Sequence, residues 1–567
     1  MSSLAPTGKP SLKAPRENNR FLCLPAASDS KQLLACNQSL LADPGLPKWF
    51  RQLRSLARQQ ALHAAKQYMS SYAPSLADSI SNGQLDRKPW VVGGHQPELY
   101  HPGVWFKNFL MAEIGKRTHS VGIQVIIDHD VAKSDTLRIP TSHVKTSGDQ
   151  ARYLSQNSLP MPIRRESEPR MPWHATRNRR SAPDSWDKTI VSVERSMADC
   201  GLAPPLLQSR RGMLAECIAS TPNIGDAFSQ FRHRIEMDHG VFNLEVPIGH
   251  LCDASAFGLF VLHCVSNADS LWTTYNHCRD AYRVRHRIRN QGQPVLELQR
   301  SENWFELPFW IYRTTGEAPV VRNRLWVCKL QDHYFLCDSP DPHKRTVSVD
   351  LPFDAKAVQE KWNDFTKRGI CIRPRALMTT MYLRCFVADL FVHGIGGGTY
   401  DELTNDILSQ WIGITPPTYL ISSASLFLPF VTPGEIEQID PTANRGSIQR
   451  ELQLMRSVPE RFLDRNEASQ LALFEAHSQQ IASIPERGRK LQWHNRTARI
   501  KQQIEVVMES KKQALHVSLE AIQRSIQQRK IMSSREYSFV LFEEQDVVGR
   551  LARLANAACD HTSDAGK

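Results

Sequence analysis

The stretch WVVGGHQPELYHPGVWFKNF, Trp90 to Phe109, decides how this chain is read. Trp90, Val91 and Val92 run straight into Gly93 and Gly94, then into His95, Gln96, Glu98 and His101, and an apolar-periodic run begins at once. The apolar triplet predicts a short buried strand. Val104 to Lys116 predicts a helix, with Phe106, Phe109, Leu110 and Ile114 recurring along one face. Val121 to Ile127 is a second apolar strand, and it ends in Asp128, His129 and Asp130. Strand, helix and strand in so short a span make a βαβ unit, whose strands are parallel and buried. The loop 93–103 and the Asp-His-Asp run therefore both leave strand C-termini at one sheet edge, where open α/β sheets bind ligands.

The residues on that edge suit an anionic ligand. Gly93 and Gly94 let a ligand approach the backbone closely. His95 and His101 can donate to phosphate or act as acid and base near neutral pH, and Lys107 adds charge one turn into the helix. Taken singly, His101 and Pro102 are explained as well by turn shaping, and Lys107 by solvation. Asp128 and Asp130 can hold Mg²⁺ or orient a ribose or an amine; a helix cap or an ion pair is the plainer account.

A second glycine run lies in VADLFVHGIGGGTYDELTNDIL, Val387 to Leu408. Leu390 to Val392 predicts a strand that enters His393, Gly394, Gly396, Gly397 and Gly398, with a following helix capped by Thr399 or Asp401. Glycine-loop amides at a helix N-terminus form a phosphate or carboxylate site, although the run is neither GxxxxGK[ST] nor GxGxxG and a tight turn explains it equally. Farther from these loops, Tyr275, Asn276, Arg279 and Glu306 are polar residues in apolar context. Glu306, inside ELPFW, needs a partner; an ion pair with Arg322 or Arg324 serves as well as a substrate.

The rest of the chain bounds the answer. Its 567 residues exceed one core, and a net charge of +12 favours anionic partners, although no nucleic-acid recognition module accompanies the arginines at 164–180. Nucleic acid is therefore not an expected partner. Twelve cysteines stand singly, without a CxxC, and the His and Cys residues between 250 and 278 match no zinc spacing, so neither disulfides nor a structural metal are expected. With no signal peptide and no spanning run, no membrane is expected and a cytoplasmic location is. FGLFVLHCV reads as helix or buried strand. Ile504, Met508, Leu515, Leu519, Ile522 and Ile526 form a seam for helix pairing, with a helix around Leu471 to Ile481 as antiparallel partner and a homodimer as the alternative use. REYSFVLF, 535–542, predicts a returning strand.

With these residues placed, the layout resembles the bacillithiol-synthesis cysteine-adding enzymes. VVGGHQPELYHPGVWFKNFLMAEI falls where that family has a Gly-Gln-Gln loop, turn glycine and helix, so Gly94, Gln96, Gly103 and Lys107 match; His95 stands in place of a glutamine. IIDHDVAKSDTLRI matches the acidic-His-Asp run. The segment from Ile372 to Thr404 matches an Arg-Pro segment and glycine loop, here Arg373, Pro374, Gly396, Gly397 and Tyr400. The resemblance implies an α/β fold: a Rossmann-like parallel sheet core with helical insertions and a C-terminal α-helical coiled coil. Its expected divisions are a disordered tail (1–30), first core part (31–149), irregular Arg/Pro-rich insertion (150–205), connective α/β segments (206–350), second core part (351–445), coiled coil (446–533), and returning strand with C-terminal helix (534–567).

It also implies a ligase that uses ATP or another nucleotide, with or without Mg²⁺, to join a cysteine-like amino acid to a small amine or amino-sugar. In that expectation His95, His101, Asp128 and Asp130 are catalytic, and His129, Tyr275, Asn276, Glu306 and Arg373 bind substrate. The nucleotide lies on Gly93, Gly94, Gln96, Gly103, Lys107, His393, Gly394, Gly396, Gly397, Gly398 and Tyr400. Two other classes use the same edge: a non-catalytic nucleotide-binding regulator, and a glycosyl or nucleotidyl transferase.

Overall fold

The strand at Trp90 lies at the middle of a six-stranded sheet. In the computed structural model its strands are β1 (Arg20–Leu24), β2 (Trp90–His95), β3 (Val121–Ile126), β4 (Leu244–Pro247), β5 (Leu390–His393) and β6 (Tyr419–Ser425). The helices used below are α1 (Lys48–Met69), α2 (Pro102–Thr118), α3 (Ile224–Asp238), α4 (Ala268–Arg285), α5 (Ile395–Ile407), α6 (Glu486–Met532) and α7 (Glu544–Asp560). The structure describes residues 12–82, 84–144, 152–164, 168–176, 183–290, 295–315, 319–331, 333–352, 354–430, 441–457, 476, 479 and 486–560. The chain is mixed α/β and divides into two units: residues 1–139, 157–428 and 535–567 in the first, 140–156 and 429–534 in the second.

The spatial strand order is β1-β6-β5-β2-β3-β4, parallel throughout except for β1 at the edge. From β2 the chain steps outward through β3 to β4, then resumes on the other side of β2 with β5 and β6. Val92 pairs with Phe391 on one side and Ile123 on the other. Alternation along β2 serves two layers. Trp90 and Val92 share a buried cluster with Phe50, Leu53 and Ala61 of α1, while Gly93 on the opposite face meets Met111 of α2.

The first unit also carries an antiparallel sheet in which Trp304–Arg313 pairs with Asn323–Leu330 and Ile370–Pro374. It runs across the division expected at 350. Its Trp304 strand has a bulge between Leu307 and Trp310, where Pro308 has no N–H for the ladder.

Several expectations change. Arg20–Leu24 lies in the segment expected to be a tail, yet it is β1, because Phe21 stacks on Phe106 and the backbone completes the β6 edge. Residues 1–11 lie outside the described residues. The segment 150–205 holds a strand, Arg152–Pro160, and a helix, Pro183–Asp199. FGLFVLHCV lies in a helix, Ser255–Ser266, buried through Phe257, Phe260 and Cys264. REYSFVLF is no strand: Ser538 caps a single turn at Phe539–Leu541, and the Leu541 and Phe542 N–H groups close turn bonds to the Ser538 and Phe539 carbonyls instead of a ladder.

In the second unit α6 runs 47 residues, about 70 Å, without a proline. Pro441–Ser457 packs on it, whereas most of the partner expected near 471–481 lies outside the described residues. Met508 and Ile522 of the expected seam are buried. Gln528 uses both ends of its amide on the Leu154 backbone, at 2.6 Å each, and so extends the ladder of the Arg152–Pro160 strand from a helix.

At the N-terminal ends of β2 and β5 sits one buried carboxylate. Asp389 accepts from Arg54 at 2.6 Å, from Arg58 at 3.0 Å and from the Trp90 backbone N–H at 2.7 Å. Arg58 also lies over the Trp90 ring. Asp389→Ala leaves two guanidinium groups facing a buried gap, so it should cost about 3–5 kcal/mol in denaturant unfolding. A loss below about 1 kcal/mol would show that this cluster does not hold the sheet.

Candidate functional site

The C-terminal sheet edge gathers four loops, after β2, β3, β4 and β5. At the β2 exit the glycines prove to be packing residues. A Cβ on Gly93 would sit 2.8 Å from the Met111 sulfur, one on Gly94 would lie 3.2 Å from the Val125 carbonyl, and one on Gly103 would overlap the Ala424 carbonyl. Lys107 is buried and donates to the Gly94 carbonyl at 2.8 Å, tying α2 to β2. Burial and then the Arg232 charge lower its ammonium to about 8.

Neither loop histidine is poised for acid–base work at neutral pH. His95 donates from Nδ1 to the Gln96 carbonyl at 3.0 Å and stands edge-on to Tyr100. Burial, then Lys107, lowers it from 6.5 to about 3. His101 caps α2 by accepting from the Gly103 N–H at 3.1 Å, and burial, then Arg535, lowers it likewise to about 3. The plainer reading of His101 as a turn shaper is the observed one.

The Asp-His-Asp run divides its labour. Asp128 is buried and accepts from the Gly249 N–H at 3.0 Å, capping the turn after β4. His129 is buried, lowered to about 4 by that burial, and its Nδ1 has no hydrogen-bond partner. Asp130 accepts from Gln96 at 2.7 Å and from Arg322 at 2.9 Å. Burial works to raise its carboxyl, but His129, Arg322 and Gln96 together hold it below the usual range. Arg322 also donates to the His129 carbonyl, so the β2 and β3 loops are joined through Gln96 and Asp130.

Beside these loops opens a cavity of about 360 Å³ lined by His95, Glu98, His101, Lys133, Arg138 and Glu536, with Trp173 at its wall. Two carboxylates and two cations face it, and both histidines are neutral. Burial raises the Glu98 carboxyl, with Lys133 opposing, and Glu98 Oε1 and Trp173 Nε1 are buried without partners. Glu98, Lys133, Arg138 and Glu536 are the residues that sequence reasoning missed. Glu98 carried a signal, a carboxylate between Pro97 and Leu99 in the opening stretch; Glu536 carried none, because its segment read as a strand.

The second glycine run is helical sooner than expected. Gly394 is the N-cap of α5 and offers no side-chain cap, so Gly396 and Gly397 occupy its first turn, exposed. Gly398 is pressed on Ile421, a Cβ on Gly397 would crowd His393, and Gly396 faces open space. Asp401 is no cap. It turns inward to Arg384 at 2.6 Å and His393 at 2.8 Å, and despite burial the Arg384 charge and the His393 hydrogen bond hold its carboxyl far below the usual range. Thr399 bonds its own helix at Ile395, and Tyr400 lies at the surface.

The remaining expected residues lie elsewhere in structural pairs. Glu306 meets Arg324 and Arg375 rather than Arg322. Arg373 is buried on Asp253. Asn276 clamps the Leu298 backbone at 3.0 Å from both ends, and the Tyr275 hydroxyl reaches only the Leu296 carbonyl. Among the described residues one group has metal-compatible spacing, His233, Glu236 and Glu245, within 4.8 Å. Arg232 already bridges its two carboxylates, and both His233 nitrogens are bonded, to Tyr72 and the Asn243 carbonyl. Those bonds occupy one oxygen of each carboxylate, while Glu236 Oε2 and Glu245 Oε2 are buried without a hydrogen-bond partner. No helix among the described residues is long and apolar enough to cross a membrane. The chain matches no protein-family model and no curated protein.

The buried histidines fix a pH response. Unfolded imidazoles take up protons below about 6.5, whereas folded His95 and His101 resist until about 3, so their contribution is complete above 6.5 and lost as pH falls toward 3. His101→Asn keeps a capping acceptor and should make stability about 1 kcal/mol per pH unit less steep between pH 6 and 4, measured by denaturant melts. An unchanged slope would mean that the ring takes up protons freely in the fold.

Proposed function

We propose that this chain is a ligase-like enzyme that uses ATP or another nucleotide to activate an amino acid carboxylate and pass it to a small amine or amino-sugar. One observation carries the reading: strand order reverses between β2 and β5, and the uncapped glycine turn of α5 opens at that reversal. Open parallel sheets bind ligands in the crevice at such a reversal, which supports a Rossmann-like reading of this core. Bare N–H groups and the helix dipole at Gly394–Gly397 suit a phosphate there.

The chemistry is redistributed from the histidines. Glu98, held toward its neutral form by burial, is the group suited to exchange a proton with the acceptor amine, and Lys133 and Arg138 suit the amino acid's carboxylate. Asp130 is an anchored acceptor for a ligand hydroxyl or ammonium. The cysteine-like identity of the amino acid and a cytoplasmic setting rest on the resemblance to the bacillithiol-synthesis enzymes, as does a coiled-coil role for α6 in a homodimer.

Phosphate and pyrophosphate release from ATP with pooled amino acids and amino-sugars tests the reading. Gly396→Val, whose Cβ meets open space, should leave the melting temperature unchanged and weaken ATP binding about tenfold or more. Glu98→Gln should bind ATP normally and slow turnover about 10²-fold or more. No amino-acid-dependent release of either product from the wild-type protein sinks the ligase reading.

A further inference from the structure

The run RVRHRIR, Arg283 to Arg289, ends α4 and enters the turn beyond it, and the proposed function makes no use of it. Arg283 and Arg289 line a cavity of about 390 Å³ together with Arg279, Arg324, Glu297 and Gln299. We propose that this cavity binds a small phosphorylated ligand, gripped by the four guanidinium groups.

Arg279 is the anchor. It is only 9% exposed, it lines the cavity, and its Nε is buried with no hydrogen-bond partner. Its Nη1 meets Asp280 at 3.1 Å and Glu297 at 3.6 Å, both carboxylates more than half exposed to water. A guanidinium this far out of solvent, whose ion partners are water-exposed carboxylates, is a costly arrangement that an anion in the cavity would relieve.

The surrounding charge points the same way. Arg324 shares the single Glu306 carboxylate with Arg375, so that carboxylate already serves two cations. Arg279 and Arg283 stand four residues apart on one helical face, where like charges repel. Among the described residues Glu297 is the one carboxylate on the lining against four arginines. Guanidinium forks match the paired oxygens of phosphate groups, and the volume falls in the range of small-molecule sites. A single-stranded nucleic acid fits less well, because no aromatic ring lines the cavity among the described residues to stack a base. None of the α5 glycines lines it, so this site is separate from the proposed nucleotide crevice.

The test is calorimetric titration of the full chain with inorganic pyrophosphate and with ADP at constant ionic strength. Arg289 is exposed and Arg283 partly so, and the double variant Arg283→Glu with Arg289→Glu should keep its melting temperature. It should lose about tenfold or more in pyrophosphate affinity, as should Arg279→Met, while Gly396→Val retains the wild-type value. Tighter binding of ADP than pyrophosphate marks the ligand as a nucleotide, and equal binding marks the phosphates alone as recognised; either supports the site. The proposal is overturned by undetectable pyrophosphate binding, by equal affinity in the double-glutamate variant, or by loss confined to Gly396→Val. It is overturned as well if single-stranded RNA binds with a steep salt dependence that pyrophosphate does not compete.

Discussion

Asp389 is the point on which the sheet depends. Its carboxylate gathers two arginines of α1 and the first N–H of β2, while its own backbone pairs with Trp90 and with the Asn37 side chain. The two strands on either side of the order reversal are thus fastened at their N-terminal ends to the same helix. With those ends fixed, the freedom that remains lies at the C-terminal ends, where the glycine turns and polar loops emerge. A sheet anchored at one edge can leave the other edge irregular.

A second constraint is the density of buried charge. Arg232 between Glu236 and Glu245, Arg384 on Asp401, and Glu306 between two arginines are three such clusters, and the pair Glu306–Arg375 spans 69 residues of chain. Each cluster is expensive to break and specifies one partner over another. The Asp401 cluster shows the consequence. By drawing Asp401 inward, Arg384 and His393 remove the acid that would otherwise sit near the α5 N-terminus, and the turn stays electropositive.

Periodicity made β2, α2 and β3 legible, and with them the edge from which the polar loops leave. Strand β5 and a following helix were legible too, but not the start of α5, because glycines read as loop until the Asp401 cluster clamps the turn. His95 and His101 looked catalytic because their residue type titrates near neutrality; the burial that removes this property comes from α2, Tyr100 and Arg535, and no local pattern carries it. Glu98 was passed over for the opposite reason, since its perturbation arises from burial that no local pattern carries. Glu306 and Arg373 read as possible ligands because their partners, Arg375 and Asp253, lie 69 and 120 residues away.

The last segment of the first unit bears on when the protein can work. Glu536 and Ser538 line the cavity beside β2, and the Phe539 N–H bonds the Tyr100 carbonyl at 2.9 Å. More than 430 of the 567 residues separate these contacts from the loop they complete, with α6 translated in between. On a ribosome the β2 loop is therefore exposed long before its wall exists, and the cavity closes only when residues beyond 540 emerge. A nascent chain that has not yet reached these residues holds an unfinished pocket.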